Sequence, residues 1–513
     1  MLKIGFVLAA LSLPIGVIAA EAPQGAQPGC LGRSPGECVD LALAAMGGRG
    51  RLQELKTLRI HGMGHTLLAE QSYRQAPFIT SYDREVVSVD FQHERVVTES
   101  HVVWPEADPH TEESDSTTVA GPQGGVRRSS DGDLPCSLSE IDGARQTLAL
   151  GPARLLLTAA AASDLRFETA EIVRSTPHTV VSFAWRGVPV RIAINAFNHL
   201  PDAVETVQQF HDFWYFWGDV RQRIYLDNWK LVHGICYPTN LVEERNGIPW
   251  RSSQALEVEL DPVIEEKALA MDAAVAEKSG ASPGWNRPFH PGKVATLAPG
   301  IDLFLGAWNS TIVKQPDGLV VLEAPISGSY VQGLLEEAQR RNPGAVVKAV
   351  LSTSDSWPHV GGLRQVASKG LPVYILDLNR SLLDRMIEAP HTIEPDALER
   401  ATPRRPPAYR IVAGKELIGS GPNRMELYPL RGASTERQYV VYFPEHRLLY
   451  ASDTLALNDD GSLYDPELMR EVLSVVEAAS LKVETVFSMH QEPMPWEKVT
   501  SLVRAAATAP PKA

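Results

Sequence analysis

Residues 352–363 read S-T-S-D-S-W-P-H-V-G-G-L and place hydroxyls, a carboxylate and an imidazole within a few positions of one another. Such side chains ligate metals, carry protons or, beside a base, attack as nucleophiles. The stretch follows an apolar run, 345–351, that predicts a strand, and it precedes Gly361-Gly362 and a helix predicted from near Leu363. One chemistry these types allow is a triad-like set: a serine nucleophile from Ser354, Ser356 or Ser434, a base from His359 or His490, and Asp355 or Asp453 to orient that base. No G-x-S-x-G elbow accompanies the serines. Serines that fill space with hydrogen bonds are therefore the better expectation.

The loop resembles the H-x-H-x-D-H-x-G-G metal-binding loop of the metallo-β-lactamase superfamily. Ser354, Ser356 and Pro358 stand where that family has His, His and Asp, while His359, Gly361 and Gly362 match. The resemblance runs in order through roughly 292–496. It includes 302–310 with an Asn-Ser turn, 319–325 with Glu323 where the family has Asp, 372–376, 439–453 and 485–490. It implies a C-terminal αββα sandwich and a hydrolase-like protein acting on a small-molecule ester, lactone or related substrate.

The same resemblance implies the ligands. The first metal site falls on Ser354, Ser356 and Ser434, whose neutral hydroxyls are poor ligands for zinc, so that site is expected to be empty. The second falls on Pro358, His359, Asp453 and His490, of which three keep ligating side chains. Two imidazoles and a carboxylate with an open position suit zinc or non-haem iron. The expectation is at most one divalent metal, zinc or iron, at His359, Asp453 and His490, with the three converging on one point. A metal-free reading stands beside it: His359 as a satisfied buried histidine and Asp453 as a buttress of its loop. Asp355 is offset from Pro358 and makes a poor substitute carboxylate.

These residues need elements to position them, and the 513-residue chain is long enough for two cores. We expect an α+β protein of two domains. Residues 21–278 show short runs with period-two alternation, such as 57–62, 86–91, 179–185, 188–194 and 255–260, which imply a mostly antiparallel sheet buried on one face. A short helix is expected at 39–46 and a helical interruption at 144–162. The half weakly resembles the half-barrel of periplasmic lipoprotein carriers, which implies an apolar hollow. Residues 213–217, F-W-Y-F-W, would line a ligand hollow or, more simply, pack between domains. A turn-rich linker covers 279–292, the second domain 293–498, and a helix end and tail 499–513. Residues 390–422 read as an insertion carrying Arg404 and Arg405.

Residues 1–20 have the pattern of a signal peptide, with Lys3, an apolar stretch and small residues at the end. The expected location is periplasmic or secreted, with no transmembrane segment in the mature chain. Four cysteines suit an oxidising compartment, and their three pairings stay open among Cys30, Cys38, Cys136 and Cys236. A net charge of −14 argues against a nucleic-acid partner, leaving a small molecule. Two functions stand: a hydrolase-like enzyme with one metal, or a non-catalytic periplasmic binding protein that uses the β-domain hollow.

Overall fold

The computed structural model describes residues 27–69, 78–104, 112–281, 284–306, 308–404 and 406–508. The signal-peptide pattern, the extreme C-terminal tail and Arg405 lie outside them. The chain is α+β, with one large antiparallel sheet and two smaller sheets. Among the described residues no helix is long and apolar enough to cross a membrane.

The first sheet has fourteen strands and spans 57–260, its central pair being Thr57–Leu67 and Ile248–Leu260 in antiparallel register. Alternate residues of its strands point to one face. Leu58, Val89, Ile192, Val204 and Leu226 on that face share a core with the helices Pro35–Ala45 and Leu155–Ala161. The first helix starts earlier than the apolar run implies, because Ser34 and Glu37 form a reciprocal capping box and Pro35 takes the first position. The helical interruption expected over 144–162 consists of two helices, Leu138–Leu150 and Leu155–Ala161. Gly151 ends the first one, and a Cβ there would lie 2.5 Å from the Thr147 carbonyl oxygen.

The second sheet has seven strands and the third has six. They stack face to face, and single strands show why. In Gly318–Leu322, Val320 and Leu322 face the inter-sheet core, whereas Leu319 and Val321 face the helices outside. In Tyr439–Phe443, Tyr439, Val441 and Phe443 face inward, and Val440 and Tyr442 face the helices Pro466–Ala478 and Trp496–Thr508. Strands clothed on both faces read as continuous apolar runs. Residues 390–422 are not an insertion, because Ala408–Val412 extends the second sheet in parallel with Pro372–Leu376 and Glu416–Ile418 begins the third.

Cys30 is disulfide-bonded to Cys38. Cys136 and Cys236 are separate free thiols, so the second bridge allowed by the sequence does not form. Burial pushes the Cys136 thiol up to about 12.

Candidate functional site

Four strands deliver the candidate residues. Gly318–Leu322 and Val347–Leu351 run parallel in the second sheet, and Leu448–Tyr450 and Thr485–Phe487 run parallel in the third. Glu323, 352–359, 451–453 and 488–490 directly follow their carboxyl ends. The loop of 352–363 turns against the backbone of its neighbour, with Ala324 N donating to His359 O and Gly362 N to Ala324 O. A Cβ on Gly361 would lie 2.1 Å from the Ile326 carbonyl oxygen, and one on Gly362 2.6 Å from that of Ser327. The glycine pair is therefore required by close approach.

His359, Asp453 and His490 are brought together. Nε2 of His490 lies 2.5 Å from Oδ1 of Asp453, and Nε2 of His359 lies 3.5 Å from Oδ2. On its other side, Nδ1 of His359 is 2.9 Å from Oε2 of Glu323. That carboxylate also accepts from the Thr353 amide, the Thr353 hydroxyl and the Tyr450 hydroxyl. Glu323 and Ser452 both hold positive φ, +74° and +55°, a strain that the surrounding bonds must hold in place. Burial alone would lower the pKa of His359, yet Glu323 first and Asp453 next push it up to about 10. Burial would raise that of Asp453, but His490 and His359 hold it well below the usual carboxylate range. The result is a row in which carboxyl groups and imidazole rings alternate, Glu323, His359, Asp453 and His490, across four strand ends.

As placed, this is an ion network and not a metal cage. Each Asp453 oxygen faces one imidazole, and no set of three or more His, Cys, Asp or Glu among the described residues is arranged to hold a metal ion. The residues in this arrangement do not fit a resident cation, so no step is derived through one. Ser354 and Ser356 are buried and bond each other, hydroxyl to hydroxyl at 3.3 Å. The Ser434 turn is instead tied to Glu471 through the Ser434 amide at 3.0 Å. Pro358 begins the short helix Trp357–Val360 at its second position. Asp355 is neither a ligand nor a base orienter. Its Oδ1 lies 2.5 Å from Nη2 of Arg437, both side chains being fully buried.

Sequence reasoning missed Arg437, Thr353 and Gln438, whose Oε1 accepts from the Asp453 amide. No motif announces them; only the meeting of distant strands does. Arg404 donates to the Ile387 carbonyl at 2.5 Å and pairs with Glu399 at 3.4 Å. Of 213–217, Trp214, Phe216 and Trp217 enter one core with Trp357, Leu383 and Met386 of the C-terminal half, and Phe213 stacks on Trp357 at 4.9 Å. This cluster packs the halves together.

Space for a ligand lies elsewhere. A cavity of about 520 Å³ lies between the large sheet and the helix Leu138–Leu150, a size within the usual range for small-molecule sites. Alternate residues line it, among them Ile60, Val87, Ile224 and Leu241, with Trp250 and Arg251 also in its wall. A second cavity of about 350 Å³ lies where the halves meet. Neither is lined by His359, Asp453 or His490.

No family model matches the chain, and no curated protein matches it. Among solved structures it is similar to the DIM-1 metallo-β-lactamase, at 14% identity over 42% of this chain and 98% of that one, with a TM-score of 0.34. A metallo-β-lactamase from Pontibacter korlensis gives 15% over 42% and 99%, with 0.34. The stereoselective inverting sec-alkylsulfatase Pisa1 from Pseudomonas sp. gives 14% over 42% and 40%, with 0.32.

Proposed function

We propose that this chain is an exported binding protein that carries a small, largely apolar ligand in the hollow of its large sheet. The metallo-β-lactamase-like half would then serve as a scaffold with a degenerate, self-neutralised centre. The observation that carries this reading is the contrast in space. The 520 Å³ hollow has an apolar wall with polar groups such as Gln208, Gln222 and Arg251 along it, whereas Ser354, Ser356 and His359 are at most 1% exposed. The Cys30–Cys38 disulfide suits an oxidising compartment.

Titration with N-phenyl-1-naphthylamine, an apolar fluorescent probe, tests the proposal. Saturable binding of one probe per chain is expected, weakened at least about tenfold by Ile224→Trp and by Leu241→Trp, which fill the hollow; tenfold is about 1.4 kcal/mol. Absence of binding, or binding indifferent to both substitutions, removes the reading.

Convergence of two imidazoles on Asp453 favours a second reading, the hydrolase-like protein with one zinc or iron at His359, Asp453 and His490. Uptake requires both histidines to be neutral and Asp453 to turn from them, and bound metal would supply a water of lowered pKa. Elemental analysis after reconstitution with Zn²⁺ and Fe²⁺ decides between them. Well under one metal per chain is expected. One per chain, lost in His490→Ala, would replace the scaffold role with the hydrolase reading.

A further inference from the structure

The hollow changes character along its length. On the strand Thr80–Asp90 the residues lining it run Val89, Val87, Glu85. On Pro201–Gln209 they run Val204, Thr206, Gln208, and on Ile235–Arg245 they run Leu241, Glu243, Arg245. Every second residue of a strand points to one face, and the strand directions in the sheet put these polar members at the same end. Val89 and Val204, at the other end, are buried. The polar end is the open one, with Met63 of the lining 45% exposed and the Glu85 side chain 30%. From Glu85 to Val89 the strand rises about 13 Å, a span that a decyl chain covers.

Charge at the open end does not balance. The lining carries the carboxylates of Glu85, Asp142, Asp212 and Glu243 against the guanidiniums of Arg245 and Arg251 and the imidazole of His211. Behind them Asp83 holds Arg251 at 2.7 Å and Arg145 holds Asp142 at 2.8 Å, and this further acid and base cancel. Even with His211 protonated, a negative charge is left over.

The positive groups are also engaged. The Arg245 side chain is 4% exposed, lies over the Trp250 and Phe210 rings at 3.3 and 4.0 Å, and pairs with Asp212 and Glu243 at 2.7 and 2.9 Å. Arg251 gives both terminal nitrogens to Asp83, at 2.7 and 2.8 Å, and Glu85 receives one further bond from it at 3.1 Å. His211 faces Asp142 at 2.8 Å. Burial raises the pKa of Glu85, Arg251 opposes the rise and Asp83 adds to it. Its carboxylate is thus the one at the open end whose charge the protein compensates least.

We infer, with the hollow as the ligand site, that it takes a single-chain primary alkylammonium amphiphile, the chain against Val89 and Val204 and the ammonium at the open end beside Glu85. An ammonium supplies the missing positive charge and three N–H donors for carboxylate oxygens. An anionic head on the same chain meets the excess of carboxylates and must draw Arg251 away from Asp83. A short amine forgoes the apolar wall, where burial of the chain stabilises the complex.

Displacement of N-phenyl-1-naphthylamine at pH 7.5 by decylamine, decanol, decanoate and butylamine tests the inference. Decylamine should compete at one per chain and at least about tenfold more tightly than decanoate, with decanol between them and butylamine about a hundredfold weaker. Glu85→Gln should shrink the decylamine-to-decanoate ratio to about threefold. Met63→Lys, which adds a positive charge at an exposed lining position, should shrink it as well and serves in place of Glu85→Gln if that variant does not fold. Leu241→Trp should weaken decylamine and decanoate alike, which separates the hollow from general attraction of a cation to a chain of net charge −14. Equal displacement by the three decyl compounds, tighter binding of decanoate, or a ratio unchanged in both charge variants overturns the inference and leaves the hollow as an apolar site. Butylamine competing as well as decylamine, or decylamine indifferent to Leu241→Trp, puts the cation outside the hollow and overturns it too. If neither the probe nor any decyl compound binds, the reading of the hollow as a ligand site falls with it.

Discussion

Arg437 and Asp355 form a buried ion pair with Nη2 2.5 Å from Oδ1 and neither side chain exposed. Two charges taken from water hold one another there, and removing one strands the other. Breaking a buried pair from one side costs about 3–5 kcal/mol, while replacing both partners with apolar side chains is often neutral or stabilising. We therefore expect Arg437→Met to lose about 3–5 kcal/mol in chemical denaturation, and Arg437→Met with Asp355→Leu to recover most of it. A double variant no more stable than the single would show that the cost arises outside the pair. Asp355 was conspicuous in the sequence because it lies inside the loop motif. Arg437 was invisible, since it precedes an ordinary apolar strand and nothing local marks it as buried.

At the scale of elements, the helix Leu138–Leu150 bounds the hollow and is tied across it by Asp142. The Asp142 carboxylate lies 2.8 Å from Nδ1 of His211 and pairs with Arg145 at 2.8 Å. The Asp142 hydrogen bond raises the pKa of His211 above its ordinary 6.5. Burial would raise that of Asp142, but His211 and Arg145 lower it below 3.8. The signs follow by linkage. The His211 contribution is fully present below pH 6.5 and is lost as pH rises through the raised folded value. The Asp142 contribution is present above pH 3.8 and fades as pH falls through the lowered one. Hydrogen exchange, corrected for intrinsic rates, should show this helix better protected at pH 6 than at pH 8.5 relative to the rest of the half. His211→Gln should remove that difference. An equal pH response in parent and variant would dissociate the tie from the helix. Strands were the most legible elements because a half-buried strand writes its face at every second residue. The helical interruption expected over 144–162 is split into two helices at Gly151, a break that its leucine and alanine run hides.

At the scale of the whole molecule, a family resemblance singled out His359, Asp453 and His490, while the chain's own patterning determined an α+β protein with a large antiparallel sheet. Such features are local or periodic, so a linear string can carry them. Only the tertiary structure decided that Asp453 lies between the two imidazoles and that Glu323 holds His359 from behind. The same holds for 213–217, which became packing between halves, and for Ala408–Val412, which became a sheet edge instead of a loop. The two cavities were equally beyond reach, since each is bounded by segments more than a hundred residues apart in the chain. A side chain's type is written at its position, but its partner, its burial and the room beside it are set by strands that meet only when the chain folds.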